Sequence, residues 1–413
     1  MEEQGHEQEQ GQGHQHQAYA PPEYSFDSVS LYASIDAASL SSPLKNNFWR
    51  SAIWSPDGSV VLTTTEDRLF RIHTLSETNL GTFETHQFKQ PDSIASSIWF
   101  PTASSLVPES FCFMAGIKDN PVKLIDAKTG NVRASYPIID HREQFISPYS
   151  MAFHPSLSKL YCGCSSFIEI IDLASSSSTR LKTTFTKSSK DGQKGIISAL
   201  AFAPGATGDF VAAGFDGSVG MYTEDGELEG WLGGVEGGGV TQLSYHPLNP
   251  ALLFVASRRS DVIQVYDLHN PSQPLHILPR KGRTNQRLRF DIDVWGRWLA
   301  SGDEEGLVRI WDIVSPEVPI VFEKKLHNDA VSSVHLHPYY PLLLTSSGSR
   351  IITASESKSD SDETSEDSQS NSDSDDFDSR HENEGGRDTA APRSKVKDST
   401  MKVWSFLPPI MST

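Results

Sequence analysis

Residues 290–314 read FDIDVWGRWLASGDEEGLVRIWDIV and contain a complete short pattern. A brief alternating run ends near Val294, a second apolar run follows, a polar turn contains Gly306, and a third run ends in Trp311-Asp312. Alternation with a period of two, rich in β-branched and aromatic side chains, is typical of β-strands. This stretch therefore predicts three short strands joined by tight turns.

The same pattern recurs along the chain. Each copy has an anchor in the turn after its first strand, which is a proline in six copies and a valine in the other. The anchors are Pro56, Pro101, Pro155, Pro204, Pro247, Val294 and Pro338. Successive anchors are 45, 54, 49, 43, 47 and 44 residues apart, which is close to the period of WD40 blades, roughly 40–45 residues. Seven copies predict an all-β, seven-bladed WD40 β-propeller.

The third strands of the copies end alike, as in VRIWDIV and IQVYDLH. Six positions before the aromatic or aliphatic residue of this ending, an acid usually stands. We expect that acid to accept backbone hydrogen bonds in the tight turn that enters the strand. The predicted turn acids are Asp67, Asp119, Asp216, Glu305 and Asp398.

The formal net charge is −18, with 35 Lys and Arg against 53 Asp and Glu. Taken as one number, this charge argues against nucleic acid binding. However, residues 1–20 contribute −4 and residues 355–390 contribute −10, and both segments have very few apolar side chains. Such compositions cannot offset their ordering entropy, so we expect both segments to be disordered. The rest of the chain carries only −4, which leaves RNA open as a ligand.

These composition shifts divide the chain into five parts. They are a disordered Gln/Glu/His-rich tail at 1–20, a propeller at 21–350, an acidic Ser/Asp/Glu-rich insert in the last blade at 351–398, a final propeller strand at 399–407, and a short tail at 408–413. Almost no chain follows Trp404 to form an outer strand for the last blade. We expect residues 25–34 to supply that strand and so to remove an exposed sheet edge.

Other features exclude some protein classes. The longest apolar run, at 251–256, is too short to span a bilayer, and the N-terminus shows no secretory signal. Three cysteines are too few for a disulfide framework and fit a reducing compartment. We expect a protein without membrane contact.

Several longer stretches are more specific than the Trp-Asp ending. They include NNFWRSAIWSPDG (46–58), GQKGIIS (192–198), TNQRLRFDID (284–293) and LHPYYPLLLTSSGSR (336–350). In order and content they resemble the telomerase Cajal body WD-repeat family, which includes spliceosome-associated fungal relatives. The resemblance implies a nuclear protein, in Cajal-body-like foci, that binds small nuclear or guide RNA and RNP proteins. It also implies a role in small nuclear RNP biogenesis, with links to pre-mRNA splicing and telomerase; the cytoplasm is an alternative location.

Propeller geometry predicts where an RNA would bind. The start of each first strand and the turn between the second and third strands lie on one face, which is expected to collect basic and amide side chains. These are Lys118, Lys190, Lys194, Arg258, Arg259, Arg283, Asn285, Gln286 and Arg287, with Arg280 and Lys281 in the same run. Arginine forks bind phosphates bidentately, and amides can contact base edges in unpaired RNA. The alternative is a solvated rim that makes local salt bridges.

Aromatic residues near the start of the first blade could add stacking. Trp49 or Phe48 is predicted to reach the rim and stack on bases, whereas Trp54 is expected in a blade core. The stretch GGVEGGG (233–239) lacks the Lys-Ser/Thr and helix of a phosphate loop, so we interpret it as a turn between blades. Cys162 and Cys164 have no second pair with which to bind a metal and are predicted to be buried thiols. We predict no catalytic residues, no cofactor and no metal.

The acidic insert interrupts the last blade between its second and third strands and should emerge on the basic face. Serines followed by acids, as in SDETSED (361–367), resemble sites of acidophilic kinases. The insert is either a solubilising loop or a phosphate mimic that competes with RNA. The sequence therefore predicts a non-enzymatic, monomeric, RNA-binding scaffold for which no DNA is expected. The alternative is a protein-only scaffold of the spliceosome or small nuclear RNP machinery.

Overall fold

The computed structural model describes residues 20–40, 42, 44, 47–76, 81–184, 192–205, 207–349 and 398–407. Within these ranges the chain forms seven antiparallel sheets of four strands, which confirms the predicted all-β, seven-bladed propeller. Residues 1–19 of the predicted tail, residues 351–397 of the predicted insert and the C-terminal tail at 408–413 lie outside the described residues. None of the described segments forms a helix long and apolar enough to cross a membrane.

The first three blades follow β1 (Ser30–Asp36) and a 3-10 turn at Ala37–Ser39. Blade 1 contains β2 (Trp49–Trp54), β3 (Val60–Thr65), β4 (Leu69–Leu75) and β5 (Phe83–Lys89). Blade 2 contains β6 (Ile94–Trp99), β7 (Cys112–Ile117), β8 (Val122–Asp126) and β9 (Val132–Tyr136). Blade 3 contains β10 (Ser150–Phe153), β11 (Lys159–Gly163), β12 (Phe167–Asp172) and β13 (Ser178–Lys182).

The other four blades repeat this order. Blade 4 contains β14 (Ile197–Phe202), β15 (Phe210–Gly214), β16 (Val219–Tyr222) and β17 (Leu228–Trp231). Blade 5 contains β18 (Val240–His246), β19 (Asn249–Ser257), β20 (Val262–Asp267) and β21 (His276–Pro279). Blade 6 contains β22 (Phe290–Ile292), β23 (Trp298–Gly302), β24 (Leu307–Asp312) and β25 (Ile320–Lys325). Blade 7 contains β26 (Val331–Leu336), β27 (Leu342–Ser347), β28 (Thr400–Ser405) and β1.

Blade 7 joins the two ends of the described chain. β1 pairs antiparallel with β28, from Ser30 opposite Ser405 to Asp36 opposite Thr400. The side chain of Ala33 on β1 is buried at the centre of this pairing. Because β1 covers the outer side of β28, the last blade has the same four strands as the others and its third strand has no open edge.

The seven inner strands are linked in a closed ring by hydrogen bonds from each blade to the next. The bonds are Arg50 Nη1 to Ile94 O (3.0 Å), Ser96 Oγ to Pro148 O (2.7 Å), Ser150 Oγ to Ile197 O (2.9 Å), Ser198 Oγ to Val240 O (2.6 Å), Gln242 Nε2 to Phe290 O (2.8 Å), Arg289 N to Ser332 O (3.1 Å) and Ser333 Oγ to Ala52 O (2.9 Å). Four of these donors are serine hydroxyls and one is the Gln242 amide, and these short side chains let the blades approach closely around a central channel.

The apolar core lies between neighbouring blades. In the contact between blades 7 and 1, Trp49 and Trp54 pack with Leu344 and Val403. Trp49 is 0% exposed and its indole Nε1 donates to Ser399 O at 3.1 Å. Trp54 is buried as expected, but the prediction that Trp49 or Phe48 reaches the rim is wrong, because both side chains are buried between blades.

Polar side chains hold the last blade together where the chain returns at β28. His327 Nε2 lies 2.7 Å from Thr345 Oγ1, which also accepts a 2.9 Å hydrogen bond from Trp404 Nε1. Asp398 accepts from Thr400 Oγ1 (2.6 Å) and lies 3.5 Å from His327 Nδ1. Burial alone would raise the pKa of Asp398, but hydrogen bonds from His327 and Thr400 hold it well below its usual range. The network fixes the position at which β28 begins.

Candidate RNA-binding face

The basic face is built on two connections that pack side by side, one entering blade 5 and one entering blade 6. The glycine-rich stretch forms the first connection, as predicted: Gly238 N donates to Arg258 O (2.8 Å), and Arg258 N donates to Gly239 O (2.9 Å). Gly239 has φ +118°, and a Cβ there would lie 2.3 Å from Phe215 O. Only glycine can pass so close to the Phe215 backbone. This close passage brings the turn between the second and third strands of blade 5 next to the corresponding turn of blade 4.

Two predicted arginines meet on an aromatic ring that the sequence analysis did not single out. The guanidinium of Arg258 lies 4.8 Å from the ring centre of Phe215, and that of Arg287 lies 5.8 Å from it. Arg258 Nε also donates to Gly238 O at 2.5 Å. Cation–π contact orients both guanidinium groups on the face, so three blades contribute to one cluster.

The exposed part of this cluster consists of side chains that bind one another. Arg259 Nε donates to Asn285 Oδ1 at 2.8 Å, and Arg283 Nε donates to Asp261 at 2.7 Å. Arg283 is 80% exposed, and Arg259 and Asn285 are exposed too. We call Arg259, Arg283 and Asn285 the rim cluster. Exposed pairs of this kind contribute little to stability, so their donors can exchange partners for a ligand at low cost.

The remaining predicted residues of this face are more dispersed. Gln286 is partly buried, and its amide donates to Gly348 O at 2.7 Å. Lys118 lies in the second-to-third turn of blade 2, 63% exposed, and Lys194 is exposed in the connection entering blade 4. Lys190 lies outside the described residues. The structure therefore brings together Arg258, Arg259, Arg283, Asn285 and Arg287, with the lysines on other blades of the same face.

One basic residue of the 280–289 run belongs to the interior. Arg280 is 3% exposed, and its guanidinium donates to Leu288 O (2.8 Å) and Ser301 Oγ (3.2 Å). Burial lowers its pKa to about 10. The expectation that Arg280 lies on the basic face is wrong, because the strand alternation points it into blade 6. Its neighbour Lys281 is exposed and bonds Glu305 at 2.8 Å.

Asp216 accepts a backbone hydrogen bond within its own turn, from Ser218 N (3.0 Å). Asp398 accepts from the Thr400 hydroxyl two positions on, and its backbone donor is Asn328 N (2.9 Å) in the connection that enters blade 7. Asp67 is buried and binds side chains instead, at 2.5 Å from Arg71 Nη2 and 2.9 Å from Asn47 Nδ2. Burial would raise the pKa of Asp67, but hydrogen bonds from Arg71 and Thr65 lower it.

The other two predicted turn acids have different roles. In blade 6 the acceptor is Asp303, whose Oδ1 accepts from Glu305 N and Leu307 N, both at 2.9 Å. Glu305 itself bonds Lys281, so the assignment of Glu305 is wrong by two positions. Asp119 has φ +55° and is exposed, 3.9 Å from Lys118 Nζ. It occupies the left-handed position of its turn, which short polar residues tolerate.

The central channel opens on the same face and contains arginines that the sequence analysis did not separate from the rim. Arg50, Arg287 and Arg289 line a cavity of about 760 Å³ at this opening. Arg287 and Arg289 also line the cavity behind it, of about 620 Å³, which contains Asp291, Asp293 and His335. The sequence did contain a pattern that could have identified these arginines. Arg287, Arg289 and Asp291 are spaced by two residues before and along β22, and in an extended chain every second side chain lies on the same side.

Other candidate groups are buried. Cys112, Cys162 and Cys164 are free thiols in the core. Burial raises the pKa of Cys164 to about 12 and that of Cys162 well above its usual range. The described residues contain no group of three or more His, Cys, Asp or Glu side chains placed to hold a metal ion.

The opposite face differs in character. Large apolar side chains are exposed in turns between first and second strands, among them Leu106 (89%), Leu248 (69%) and Tyr340 (62%). These turns belong to blades 2, 5 and 7. Exposed apolar residues on one face are more typical of protein partners than of nucleic acid.

The chain resembles known proteins over most of its length. The model of the "WD domain, G-beta repeat" family matches residues 288–312. Telomerase Cajal body protein 1 of Rattus norvegicus is 32% identical over 356 residues, and that of Homo sapiens is 31% identical over 355 residues; both alignments cover 82% of this chain. They cover 66% and 64% of those relatives, so the chain spans just under two thirds of their length. Guanine nucleotide-binding protein negative regulator 1 of Schizosaccharomyces pombe is 29% identical over 70% of this chain and 76% of its own. These similarities confirm the predicted family resemblance.

Proposed function

Because this chain belongs to the WD-repeat proteins homologous to telomerase Cajal body protein 1, we propose that it is a non-enzymatic scaffold that binds a small nuclear or guide RNA. It acts in the nucleus, in Cajal-body-like foci, together with RNP proteins, in the localisation or maturation of small nuclear RNPs. Links to pre-mRNA splicing and to telomerase belong to the same proposal. The scaffold is monomeric and contacts neither membrane nor DNA.

The observation that carries the proposal is the cluster shared by blades 4, 5 and 6. Phe215 orients Arg258 and Arg287, while Arg259, Arg283 and Asn285 present exposed donors beside them. Guanidinium groups bind backbone phosphates, and the amide offers both a donor and an acceptor to an unstacked base. An unpaired RNA loop suits this arrangement better than a duplex, because its bases are free to be contacted.

The test is ultraviolet crosslinking of the full-length protein to RNA in cells, followed by sequencing. The variant carries Arg259→Ala and Arg283→Ala, which remove two exposed charges of the rim cluster. The matched control carries Lys128→Ala and Arg297→Ala, which remove two cations near turns on the opposite face. We expect the rim variant to lose most guide RNA crosslinks and the control to retain them. The purified rim variant should also show a shallower salt dependence, by about one unit per lost phosphate contact.

Unchanged crosslinking in a folded rim variant would contradict the RNA assignment. A specific observation would then favour the protein-only scaffold: the exposed Leu106, Leu248 and Tyr340 on the opposite face. Affinity purification with and without nuclease separates the two functions. Protein partners that survive nuclease and are lost in a Leu248→Asp, Tyr340→Asp variant would support the scaffold alone.

A further inference from the structure

Three arginines converge where the central channel opens on the basic face. Arg50 lies on β2, and Arg287 and Arg289 lie just before β22, so blades 1 and 6 contribute to one cavity of about 760 Å³. Hydroxyl groups also line this cavity: Ser51, Thr64, Ser96, Ser97, Thr284 and Ser349. Ser51 and Thr64 bond each other, Ser96 donates to Pro148 O, and Ser349 donates to Asp329. The donors that remain for an anion are therefore mainly those of the arginines.

The cavity has an excess of positive charge. Glu66 is the one acid among its described lining residues, and it lies 3.3 Å from Arg50 Nε. Arg289 donates its backbone N–H to Ser332 O. Within the described part of the chain, the guanidinium groups of Arg287 and Arg289 form no ion pair, and that of Arg287 lies 5.8 Å from the centre of the Phe215 ring. Three cations against one carboxylate leave about two uncompensated charges.

The pKa shifts of Arg287 and Arg289 agree with this excess of positive charge. Burial, together with the charges of Arg289 and Arg50, lowers the pKa of Arg287 to about 10. The pKa of Arg289 is lowered by burial and by Arg50. The acids deeper in the channel have other partners: Asp291 accepts from Leu336 N (2.8 Å) and lies 3.6 Å from His335, and Asp293 accepts from Trp298 N. They do not neutralise the arginines.

We propose that this channel cavity binds a small compound carrying a phosphomonoester or pyrophosphate group. A phosphomonoester carries about two negative charges and several strong acceptor oxygens, and pyrophosphate carries at least as much charge. Both match the excess charge and the converging donors. Planar guanidinium forks bind phosphate oxygens bidentately. A backbone phosphodiester of RNA carries one charge, which suits the excess charge of this cavity less well. Asn285 of the rim cluster also lines the cavity, so the two surfaces adjoin. Arg50, Arg287 and Arg289 lie outside the rim cluster, and the inference does not depend on RNA binding there.

The test is isothermal titration of inorganic pyrophosphate into the full-length protein at constant ionic strength. We expect one site per chain and at least tenfold weaker binding in Arg289→Met and in Arg287→Met. Arg289→Lys keeps the charge but removes the planar fork, so its affinity for pyrophosphate should be intermediate between those of wild type and Arg289→Met.

The matched control is Arg283→Met, on the same face but outside the cavity, which should bind pyrophosphate within twofold of wild type. Without ligand, Arg289→Met should melt no lower than wild type, because it relieves repulsion among the three guanidinium groups.

Three results would overturn the proposal. They are the absence of pyrophosphate binding at millimolar concentration, an equal loss in Arg283→Met, and full binding retained in Arg289→Met. An unphosphorylated oligoribonucleotide is titrated in parallel. If Arg289→Met weakens only the binding of that RNA, the arginines belong to the RNA surface and the small-phosphate assignment is wrong. If Arg259→Ala, Arg283→Ala weakens RNA alone while Arg289→Met weakens pyrophosphate alone, the two sites are independent.

Discussion

The Ser333 hydroxyl donates a 2.9 Å hydrogen bond to the backbone carbonyl of Ala52, 281 residues earlier in the chain. This bond joins the inner strand of the last blade to that of the first and completes the ring of seven interblade bonds. Each of the other six bonds in the ring connects residues that are 42 to 52 positions apart. The closure thus combines one long-range bond of the inner ring with the outer pairing of β1 and with the packing of Trp49 against blade 7, where its indole donates to Ser399 O.

Replacing Ser333 with Ala should destabilise the protein, since it removes a buried hydrogen bond at the closure. We expect the free energy of unfolding to fall by about 1 kcal/mol, measured by urea denaturation. Ser244→Ala is the matched control, because Ser244 lies on an inner strand but donates only to its neighbour Tyr245 O at 3.3 Å. If both substitutions lower the free energy of unfolding equally, the closure bond contributes no more to stability than the local bond of Ser244.

The outer strand of blade 7 offers a second test. Ala33 on β1 is 2% exposed, whereas the adjacent Tyr32 is 43% exposed. Ala33→Asp should detach β1 and expose the edge of β28, since a buried carboxylate without a partner costs several kcal/mol. Thermal unfolding and size-exclusion chromatography should show a lower melting temperature and aggregation. Tyr32→Asp places the same charge in solvent and should change neither; similar behaviour of both variants would contradict this role of β1.

Acid should destabilise the propeller through its buried histidines. His73 lies between Thr63 Oγ1 and Thr85 Oγ1, both at 2.9 Å, and burial, with the charge of Arg71, lowers its pKa to about 3. Below pH 6.5 the unfolded chain takes up the proton that the folded chain excludes, so stability is full above 6.5 and falls as the pH approaches 3. His73→Gln should reduce this slope by up to about 1.4 kcal/mol per pH unit.

Chemical denaturation at pH 7, 6, 5 and 4 measures that slope. The control is His86→Gln, which changes an exposed histidine of the same blade and should leave the pH dependence as it is in the wild type. His337, whose pKa burial lowers to about 4, keeps part of the dependence in both variants. A wild-type slope in His73→Gln would mean that His73 is not a source of the acid sensitivity.

The acidic insert should compete with RNA for the basic face. Ser349 lines the channel opening and Asp398 begins the return to β28, so both ends of the insert attach at that face. Replacing residues 355–390 with a Gly/Ser linker of equal length removes a net charge of −10 and keeps the connection. RNA affinity should increase, most at low salt, where screening is weakest. Fluorescence anisotropy between 50 and 300 mM salt checks this, and equal affinities at low salt would refute competition.

Much of the fold could be predicted because each blade repeats local patterns. The spacing of anchors from Pro56 to Pro338, the alternating strands and the Trp311-Asp312 ending follow from short-range geometry, in which a strand exposes every second side chain to the same layer. The site could be predicted only in part. Arg259, Arg283 and Asn285 are in turns, where exposure follows from the connection. Trp49 begins β2 and Arg280 follows β21, and their inward orientation depends on the neighbouring blade.

The sequence by itself determined the number of blades, their order and the face to which the basic turns belong, because these depend on period and alternation within about 50 residues. The tertiary structure alone decided which donors remain without an anionic partner. Arg50 and Arg289 are 239 positions apart, and only ring closure brings their guanidinium groups to one cavity. It likewise buried Trp49 between the first and last blades and made Asp303, not Glu305, the acceptor of its turn. Those outcomes depend on contacts between blades and on turn geometry, which no local pattern encodes.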